Sequence, residues 1–428
     1  MKQLICGGVL VVGVMLASLS WSYPLDGYAY TGIARLEAYR LAMEGKVRAP
    51  LQPPGALLMS AQVDLRMMEQ TDFKIPASDP EFTAKVQELL GAEADRYAVA
   101  VLDLTNLQQP RYAGHQSTLR ANPGSIGKIM IALGLFQALA DIYPDDMESR
   151  ESVLRNTVVT ADEFIKSDHH VVPFWEPGQA RVRYRKIQIG DRASLWTYLD
   201  WMLSASSNAA ASMVMRELML LVYFGPAYPV GDVQIQQFFK TTPPKELSAL
   251  LVRALQDPVV RNGLDLEQLR QGSFFTRQGK RLVPGTSSYA SPQELLRWLI
   301  KLEQGKLVDA FSSREIKRLL YMTQRRIRYA SSPALAKSAV YFKSGSLYKC
   351  KTEADFKCRK YQGNVKNMLN SVAIIESPAA DRKLFYMVVL MSNVLRKNSA
   401  VVHQALATHL HRMLEAYHGI RMKNPSQK

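Results

Sequence analysis

The sequence is poor in cysteine and has no repeated or low-complexity segments. Three cysteines in 428 residues are too few for a disulfide-rich scaffold, and no Cys-x-x-Cys or Cys/His cluster suggests a metal site. We therefore expect neither a metal nor an organic cofactor. Charged residues make up only 21% of the chain and apolar residues 47%, which excludes a disordered, collagenous or coiled-coil protein.

Acidic residues are scarce relative to basic ones. The chain has 38 Asp and Glu against 54 Lys and Arg, a formal net charge of +16. This surplus favours anionic partners, such as nucleic acid, acidic lipid, a cell-wall polymer or a carboxylate substrate, and it does not choose among them. The oligomeric state cannot be deduced from the sequence.

A charge-free segment opens the chain. Residues 3 to 25 carry no charge, Lys2 precedes them, and Ser20 and Ser22 provide small residues near the end. That layout predicts a secretory signal peptide over residues 1–22, or else an uncleaved membrane anchor through residues 3–25. We expect export to the periplasm or the cell envelope, which argues against nucleic acid as a partner.

Two cysteines lie close together late in the chain. Cys6 falls within the N-terminal segment, which leaves Cys350 and Cys358 in one polar, basic stretch. Because an exported protein can form disulfides, we predict that these two cysteines pair at the tip of a hairpin. Two free thiols are the alternative.

Strand-like runs lie near both ends of the main body, with helical runs between them. Tyr97–Leu104 is mostly apolar and β-branched, and similar runs follow at Ala339–Lys343, Met368–Glu376 and Leu384–Ser392. Between them, Ile126–Leu139 is nearly all apolar, which indicates a buried helix. The pattern predicts an α+β sheet domain whose chain leaves, builds a helical domain and returns.

These runs divide the chain into a signal or anchor segment, an N-terminal extension, a main domain and a basic tail, at residues 1–22, 23–94, 95–418 and 419–428. Within the main domain, two sheet parts enclose one helical part, at about residues 95–122, 287–418 and 123–286 in that order. The sequence suggests no role for the extension.

The first of three short motifs is Ser125-Ile126-Gly127-Lys128. Asn122-Pro123-Gly124 makes a turn before it and the apolar helix follows, so Ser125 is expected at a helix N-terminus. A spacing of three places Ser125 and Lys128 on one helix face. In an apolar helix the lysine would be poorly solvated, so its pKa would fall and its neutral amine could take the serine proton.

The second motif is Ser206-Ser207-Asn208, at a break in the helical run Leu195–Phe224. Polar side chains at such a break can point into a cleft. There the serine could relay a proton to a leaving amine, and the asparagine could hold a substrate amide. The alternative is an ordinary helix cap, which Ser and Asn favour.

The third motif is Lys343-Ser344-Gly345-Ser346, which closes the strand-like run Ala339–Lys343. Lys343 and Ser344 could meet a substrate carboxylate, and Gly345 would let a ligand lie against the backbone. The Ser346 N–H could pair with that of Ser125 as an oxyanion hole. The alternative is a solvated strand end.

This ordered set of motifs resembles that of the penicillin-recognising serine enzymes, the family of class A β-lactamases and serine penicillin-binding proteins. The resemblance covers about residues 95 to 418. It implies a β-lactamase-like α+β fold, with an antiparallel sheet flanked by helices and an inserted all-helical domain. It also implies that Ser125 is the acylated nucleophile, that Lys128 activates it, and that Ser206 passes a proton to the leaving nitrogen.

The resemblance further implies a substrate, either a β-lactam or a peptidoglycan peptide. Asn208 would bind its acyl side-chain amide, Lys343 and Ser344 would orient its carboxylate, and Ser346 would supply the second oxyanion donor. We therefore expect an exported serine hydrolase, acylated by β-lactam or amide substrates that are then hydrolysed. The alternatives are a penicillin-binding protein with D-alanyl-D-alanine peptidase activity and a noncatalytic protein that binds wall peptide or penicillin.

The sequence departs from class A β-lactamases in the segment between the second and third motifs. Those enzymes carry a glutamate, followed four residues later by asparagine, that activates the deacylating water. Glu217, Glu246 and Glu267 lie between Asn208 and Thr286, and none has an asparagine four residues on. Glu267 is the nearest by position and is the candidate deacylation base. Without such a base the acyl-enzyme would persist, as in a penicillin-binding protein.

Other polar clusters carry weaker signals. Asp168-His169-His170 is similar to a metal phosphoesterase motif, but that family's partner motifs are absent, so we interpret it as a polar loop. The run Ala400–Tyr417 predicts a final amphipathic helix, and we expect three histidines on its solvent face: His403, His409 and His411. Basic residues bracket the third motif and either attract an anionic substrate or form a solvated face: Arg325, Arg326, Arg328, Lys349, Lys351, Lys357, Arg359, Lys360 and Lys366.

Overall fold

The computed structural model describes residues 25–321 and 326–420. The predicted signal or anchor segment, Cys6 and most of the basic tail lie outside the described residues. The strands are β1 (Tyr97–Asp103), β2 (Arg111–His115), β3 (Val158–Thr160), β4 (Val172–Phe174), β5 (Arg183–Arg185), β6 (Arg192–Ser194), β7 (Leu269–Arg270), β8 (Tyr289–Ala290), β9 (Ala339–Lys349), β10 (Lys366–Ser377) and β11 (Leu384–Asn393).

The helices of the described residues lie before, between and after these strands. They are α1 (Tyr28–Thr31), α2 (Ala34–Met43), α3 (Pro80–Leu90), α4 (Lys128–Ile142), α5 (Met147–Asn156), α6 (Leu195–Leu203), α7 (Asn208–Phe224), α8 (Asp232–Thr241), α9 (Pro244–Arg261), α10 (Arg277–Leu282), α11 (Pro292–Glu303), α12 (Ala310–Tyr321) and α13 (Ser399–Tyr417).

A five-stranded sheet in the order β2-β1-β11-β10-β9 forms the centre of the fold. All its pairings are antiparallel, and Tyr97 at the start of β1 lies opposite Ser392 near the end of β11. The chain therefore leaves the sheet after β2 and returns at β9. This arrangement confirms the predicted β-lactamase-like α+β fold, in which an early strand completes a sheet built mainly from the end of the chain.

Both faces of the sheet are buried. Along β1, Ala98, Ala100 and Leu102 point into one hydrophobic core, while Val99 and Val101 point into the other. The larger core holds the apolar faces of α4, α6, α7, α9 and α11, and the smaller one holds those of α3 and α13. A strand buried on both sides reads as a continuous apolar run, which is why β1 was predictable from sequence.

The helical part contains elements that the sequence analysis did not predict. Three two-stranded antiparallel sheets, β3–β6, β4–β5 and β7–β8, lie within it or at its border. Their strands have two or three residues each, too few to show a period-two pattern. Two helical stretches, Gly124–Ile142 and Asn208–Ala227, are long and apolar enough to span a membrane but are 78% and 72% buried within the protein. They are core helices of this fold.

The N-terminal extension packs onto the same core as the main domain. Leu36 and Tyr39 of α2 are buried within it, and Arg35 Nε donates to Asp200 Oδ2 of α6 at 2.6 Å. Arg35 and Asp200 are almost completely buried. A buried ion pair fixes one geometry strongly, because either charge alone would be costly in an apolar setting.

A second buried charge cluster joins α11, α12 and β10. Lys317 Nζ lies 2.6 Å from Glu303 Oε1 and 2.9 Å from Glu376 Oε1, and all three side chains are fully buried. Arg66 of the extension also reaches Glu376, with Nε 3.2 Å from its carboxylate. These contacts tie the extension to β10 of the central sheet.

The prediction for the histidines of α13 was wrong at two of three positions. His409 is exposed, but His403 and His411 are fully buried. His403 bridges Ser371 Oγ and Ser392 Oγ at 3.1 and 2.8 Å, and burial lowers its pKa to about 3. Burial lowers the pKa of His411 to about 4. Both rings are therefore neutral at pH 7 and hold the helix to the sheet.

A disulfide joins Cys350 and Cys358 in the connection between β9 and β10. This connection is the hairpin in which the sequence analysis expected the pair. The disulfide lies just beyond the end of β9, the strand that carries the third motif.

Candidate active site

Ser125 lies on a tight turn at the entrance to α4. Asn122 Oδ1 accepts from the Gly124 N–H at 2.9 Å, and Gly124 takes a positive φ of 56° that glycine tolerates easily. A 3-10 turn over Gly124–Gly127 then leads directly into α4. Ser125 is half-buried, so its hydroxyl lies at the start of an apolar helix and within reach of a ligand.

Lys128 lies beneath this serine at the first position of α4. Its Nζ lies 3.1 Å from Ser125 Oγ, 2.6 Å from the Ser206 carbonyl oxygen and 2.8 Å from Asn208 Oδ1. The side chain is 0% exposed, and the ring of Phe275 covers it at 4.8 Å from the ring centre. Burial lowers the pKa of Lys128 to about 7, although the charge of Asp168 opposes the shift.

The second motif forms the loop between α6 and α7. Ser206 has a positive φ of 59°, a strained conformation for a residue other than glycine, and this turns its carbonyl toward Lys128. Ser207 is the N-cap of α7, accepting from the Ala210 N–H at 3.1 Å. Ser207 therefore caps α7, while its neighbours Ser206 and Asn208 face Lys128.

The third motif lies on β9, at the edge of the sheet. Lys343 Nζ lies 2.8 Å from Ser206 Oγ and 3.0 Å from the Ser344 carbonyl oxygen. Burial lowers the pKa of Lys343 well below its usual value, and the positive charges of Lys128 and Arg328 lower it further. The structure therefore brings two buried lysines to the same serine loop.

Gly345 makes the closest backbone contact of the site. A Cβ at this position would lie 2.4 Å from the Pro123 carbonyl oxygen and 2.6 Å from the Ser125 nitrogen. A Cβ on Gly124 would lie 3.4 Å from the Ser346 nitrogen. The backbone of Gly124 and Ser125 therefore packs against that of Gly345 and Ser346, which brings the N–H groups of Ser125 and Ser346 into one region. An oxyanion hole needs two such N–H groups side by side.

Arg328 is a site residue that the sequence analysis did not single out from its basic cluster. It donates to Ser344 Oγ at 2.7 Å, to Ser346 Oγ at 3.0 Å and to the Tyr361 hydroxyl at 3.0 Å. It also has a positive φ of 55°. Its neighbour Arg326 instead donates to the carbonyl oxygens of Leu335 and Ser338, which fixes a loop. Sequence alone could not separate the two, because both are arginines in one basic stretch.

Asp168 and His170 also lie at the site, although the sequence analysis interpreted them as a polar loop. Asp168 Oδ2 accepts from Ser207 Oγ and from the Ala209 N–H, both at 2.9 Å, so it holds the second-motif loop. His170 Nδ1 lies 2.6 Å from Asp168 Oδ1, and the His170 side chain is 27% exposed. Burial lowers the pKa of His170, its bond to Asp168 opposes this, and the charge of Lys128 lowers it further.

The same loop is where the described residues could bind a cation. The ligand atoms of Asp168, His169 and His170 lie within 4.8 Å of one another. Both Asp168 oxygens already accept hydrogen bonds from the protein, from backbone N–H groups and from Ser207. We assign no metal to these residues.

Comparison with known proteins identifies the family. The model of the beta-lactamase enzyme family matches residues 81–412. The chain belongs to this family. The match confirms the resemblance seen in the motifs and supports a serine hydrolase in general. No curated protein matches the chain.

Solved structures with related folds include penicillin-binding and β-lactamase proteins. PBP-A is 12% identical with a TM-score of 0.48, over 80% of this chain and 100% of its own. A beta-lactamase from Sphaerobacter thermophilus is 14% identical with a TM-score of 0.49, over 80% and 99% of the two chains. A beta lactamase from Xanthomonas campestris is 15% identical with a TM-score of 0.49, over 77% and 96%.

The predicted deacylation base, Glu267, has no contact with Lys128 or Lys343 among the described residues. The Glu267 side chain is 76% exposed and pairs with Arg120 at 3.5 Å. Two other residues of that segment face the first motif. The Phe275 ring covers Lys128, and Gln271 is buried with its Oε1 only 1.9 Å from where a Cβ on Gly127 would lie. A deacylation role for Glu267 stays a prediction that these contacts do not support.

Proposed function

We propose that the protein is a serine acyl-transfer enzyme, acylated at Ser125 by β-lactams or by the terminal amide of a peptidoglycan peptide, whose acyl-enzyme is hydrolysed slowly. The observation that carries this proposal is the contact of 3.1 Å between Ser125 Oγ and the Nζ of a fully buried Lys128. A lysine whose pKa lies near 7 is largely neutral at slightly alkaline pH and can accept the serine proton.

The contacts supply a path for that proton. Ser125 Oγ attacks the carbonyl carbon and gives its proton to Lys128 Nζ, while the N–H groups of Ser125 and Ser346 stabilise the carbonyl oxygen. When the C–N bond breaks, the leaving nitrogen takes a proton from Ser206 Oγ, and Ser206 Oγ takes one in turn from the charged form of Lys343, whose Nζ lies 2.8 Å away. Lys128 returns its proton to Ser125 Oγ when water hydrolyses the acyl-enzyme, and the proton released by that water restores the charge of Lys343.

A carboxylate on the substrate is the ligand that Lys343, Ser344 and Arg328 recognise. An arginine, a lysine and a hydroxyl converge here, with Arg328 Nη1 2.7 Å from Ser344 Oγ. An arriving carboxylate would favour the charged form of Lys343, because an opposite charge raises the pKa of an amine. Both β-lactams and peptides ending in a free carboxylate carry this group beside the reactive amide.

The slow hydrolysis is inferred from the segment that follows α9. Phe275 and Gln271 are the residues that it presents to Lys128 and Gly127, and neither can act as a carboxylate base. Acylation would then be fast relative to deacylation, since only the first step has a base in contact with its proton. A persistent acyl-enzyme is the behaviour of a penicillin-binding protein or D-alanyl peptidase with respect to β-lactams.

Rapid β-lactam hydrolysis is the second candidate, and one observation favours it. His170 is partly exposed and is oriented by Asp168, a pairing that could activate a water molecule. Under this alternative His170→Ala would slow deacylation while leaving acylation unchanged. Under the first proposal the same variant would leave an already slow deacylation unchanged.

The test is covalent labelling with a fluorescent penicillin. We expect an adduct on the wild-type protein that persists for minutes or longer, and no adduct on Ser125→Ala. Decay within seconds would establish rapid hydrolysis. An unlabelled wild-type protein, indistinguishable from Ser125→Ala, would overturn acylation and leave a noncatalytic binding role.

We also propose that the enzyme acts in the periplasm or cell envelope, on the support of its N-terminal sequence alone. Fractionation of expressing cells, compared with a chain lacking residues 3–22, would test this. Recovery of the full chain from the cytoplasm would contradict the proposal.

A further inference from the structure

A large polar cavity is lined in part by residues of α6. Its volume is about 490 Å³, within the range of small-molecule sites. The start of α2, the end of α5, the hairpin β4–β5, β6 and the start of α6 enclose it. None of the residues assigned to the acylation chemistry lines it.

Guanidinium groups dominate the polar lining of this cavity. Arg155, Arg183 and Arg192 line it from three separate elements, α5, β5 and β6. Across residues 25–321 and 326–420, none of the three forms an ion pair with a carboxylate. Other ion pairs of this region do form, as between Arg185 and Asp191. Among the described residues of the lining Glu176 is the one acidic side chain, and it is exposed, as are the three arginines.

Two helices add to the positive potential. The α2 helix begins at Ala34, and its N-cap, Ile33, offers no side-chain acceptor for the first backbone N–H groups. The α6 helix begins at Leu195, and its N-cap Ser194 also lines the cavity. The N-termini of both helices therefore border the cavity, and the Ser194 hydroxyl already caps that of α6 by accepting from the Thr197 N–H at 3.1 Å.

The remaining wall is aromatic. The rings of Phe174 and Trp201 lie 4.9 Å apart between their centres and are tilted at 49° to each other, and Trp175 also lines the cavity. The Arg185 guanidinium lies over the Phe174 ring, 3.6 Å from its centre. A ligand that fills this cavity would therefore meet guanidinium groups together with aromatic side chains.

We propose that this cavity is a binding site for a small phosphate-bearing anion with an apolar or aromatic part. Guanidinium groups match phosphate oxygens in pairs of hydrogen bonds, and several of them together favour a multiply charged phosphate over a single carboxylate. The site is separate from the acylation chemistry, so it stands whether or not Ser125 is acylated. One residue touches both regions: the Trp201 carbonyl accepts from the Ser207 N–H at 3.1 Å.

Calorimetric titration of the full chain with inorganic diphosphate, in low salt and without divalent metal, tests the site. We expect saturable binding that weakens as sodium chloride is added. The double variant Arg155→Gln/Arg192→Gln should bind about 100-fold more weakly, at about tenfold for each guanidinium group removed. Glu176→Gln should bind more tightly, because it removes the one negative charge in the lining.

A double variant with the same change of charge serves as the control. Lys240→Gln/Arg253→Gln alters two exposed residues outside the cavity and should bind diphosphate within about threefold of wild type. Absence of binding to the wild-type protein, or equal weakening in both double variants, would overturn the proposal. Tighter binding of citrate than of diphosphate would overturn the assignment to phosphate.

Discussion

Replacement of Lys128 by methionine tests the proposed proton acceptor most directly. Methionine has a similar length and is apolar, so it fits a site where the lysine is 0% exposed and lies against Phe275. It removes the amine 3.1 Å from Ser125 Oγ. Loss of a general base slows such a step by about 10²-fold or more, which corresponds to ~2.7 kcal/mol in the barrier.

The wild-type enzyme should also show a matching pH dependence. Only the neutral amine accepts a proton, and the pKa of Lys128 is about 7. The acylation rate should therefore rise with pH and reach a plateau above the pKa. Between pH 6 and pH 8 the neutral fraction rises from about one eleventh to about ten elevenths, so the rate should rise roughly tenfold.

Stopped-flow mixing with a fluorescent penicillin measures both effects as the rate of adduct formation. Lys337→Met is the control, because it removes an exposed lysine. Thermal melting shows whether Lys128→Met is folded, since the variant leaves the Ser206 carbonyl and Asn208 Oδ1 without their donor. A folded variant that acylates within threefold of wild type, or a flat wild-type profile between pH 6 and pH 8, would refute the role of Lys128.

Three other substitutions have defined outcomes. Gly345→Ala should slow acylation at least about tenfold, because its Cβ would lie 2.6 Å from the Ser125 nitrogen; an unchanged rate would contradict the close contact. Arg328→Gln should weaken penicillin recognition about tenfold and leave recognition of its methyl ester unchanged, as measured from the concentration dependence of labelling. Lys317→Met should lower the free energy of unfolding in urea by about 3–5 kcal/mol, whereas Lys383→Met at an exposed ion pair should change it little.

The fold could be predicted where the burial of a segment produces a recognisable pattern in its own sequence. The late strands were found because both faces of the sheet are covered, which makes each strand a continuous apolar run. The start of α11 has a local sequence signal of its own, since Ser291 caps the helix by accepting from the Glu294 N–H. The burial of His403 could not be found this way, because it depends on how α13 packs against Ser371 of β10 and Ser392 of β11.

In the candidate site, too, the contacts between residues close in sequence were predictable and the long-range contacts were not. Ser125 and Lys128 lie three residues apart, so helix geometry alone placed them together. The other two motifs required a known family pattern, because nothing local brings Asn208 to Lys128. Asp168 binds the second-motif loop across some 40 positions of sequence, and only the folded chain reveals that contact. The sequence around such a residue contains no local pattern from which a contact over that distance could be predicted.

The ion pair between Arg35 and Asp200 has a consequence for where the protein can be shortened. Removing the first 80 residues, so that the chain begins where the family match begins, would delete Arg35. The carboxylate of Asp200 would then be left without its partner in an apolar interior. That stranded charge would act on α6, which leads straight into the loop of Ser206. A trimmed enzyme would then lose activity through a distorted helix rather than through any missing catalytic group, and the segment before the family domain is better regarded as its inner scaffold.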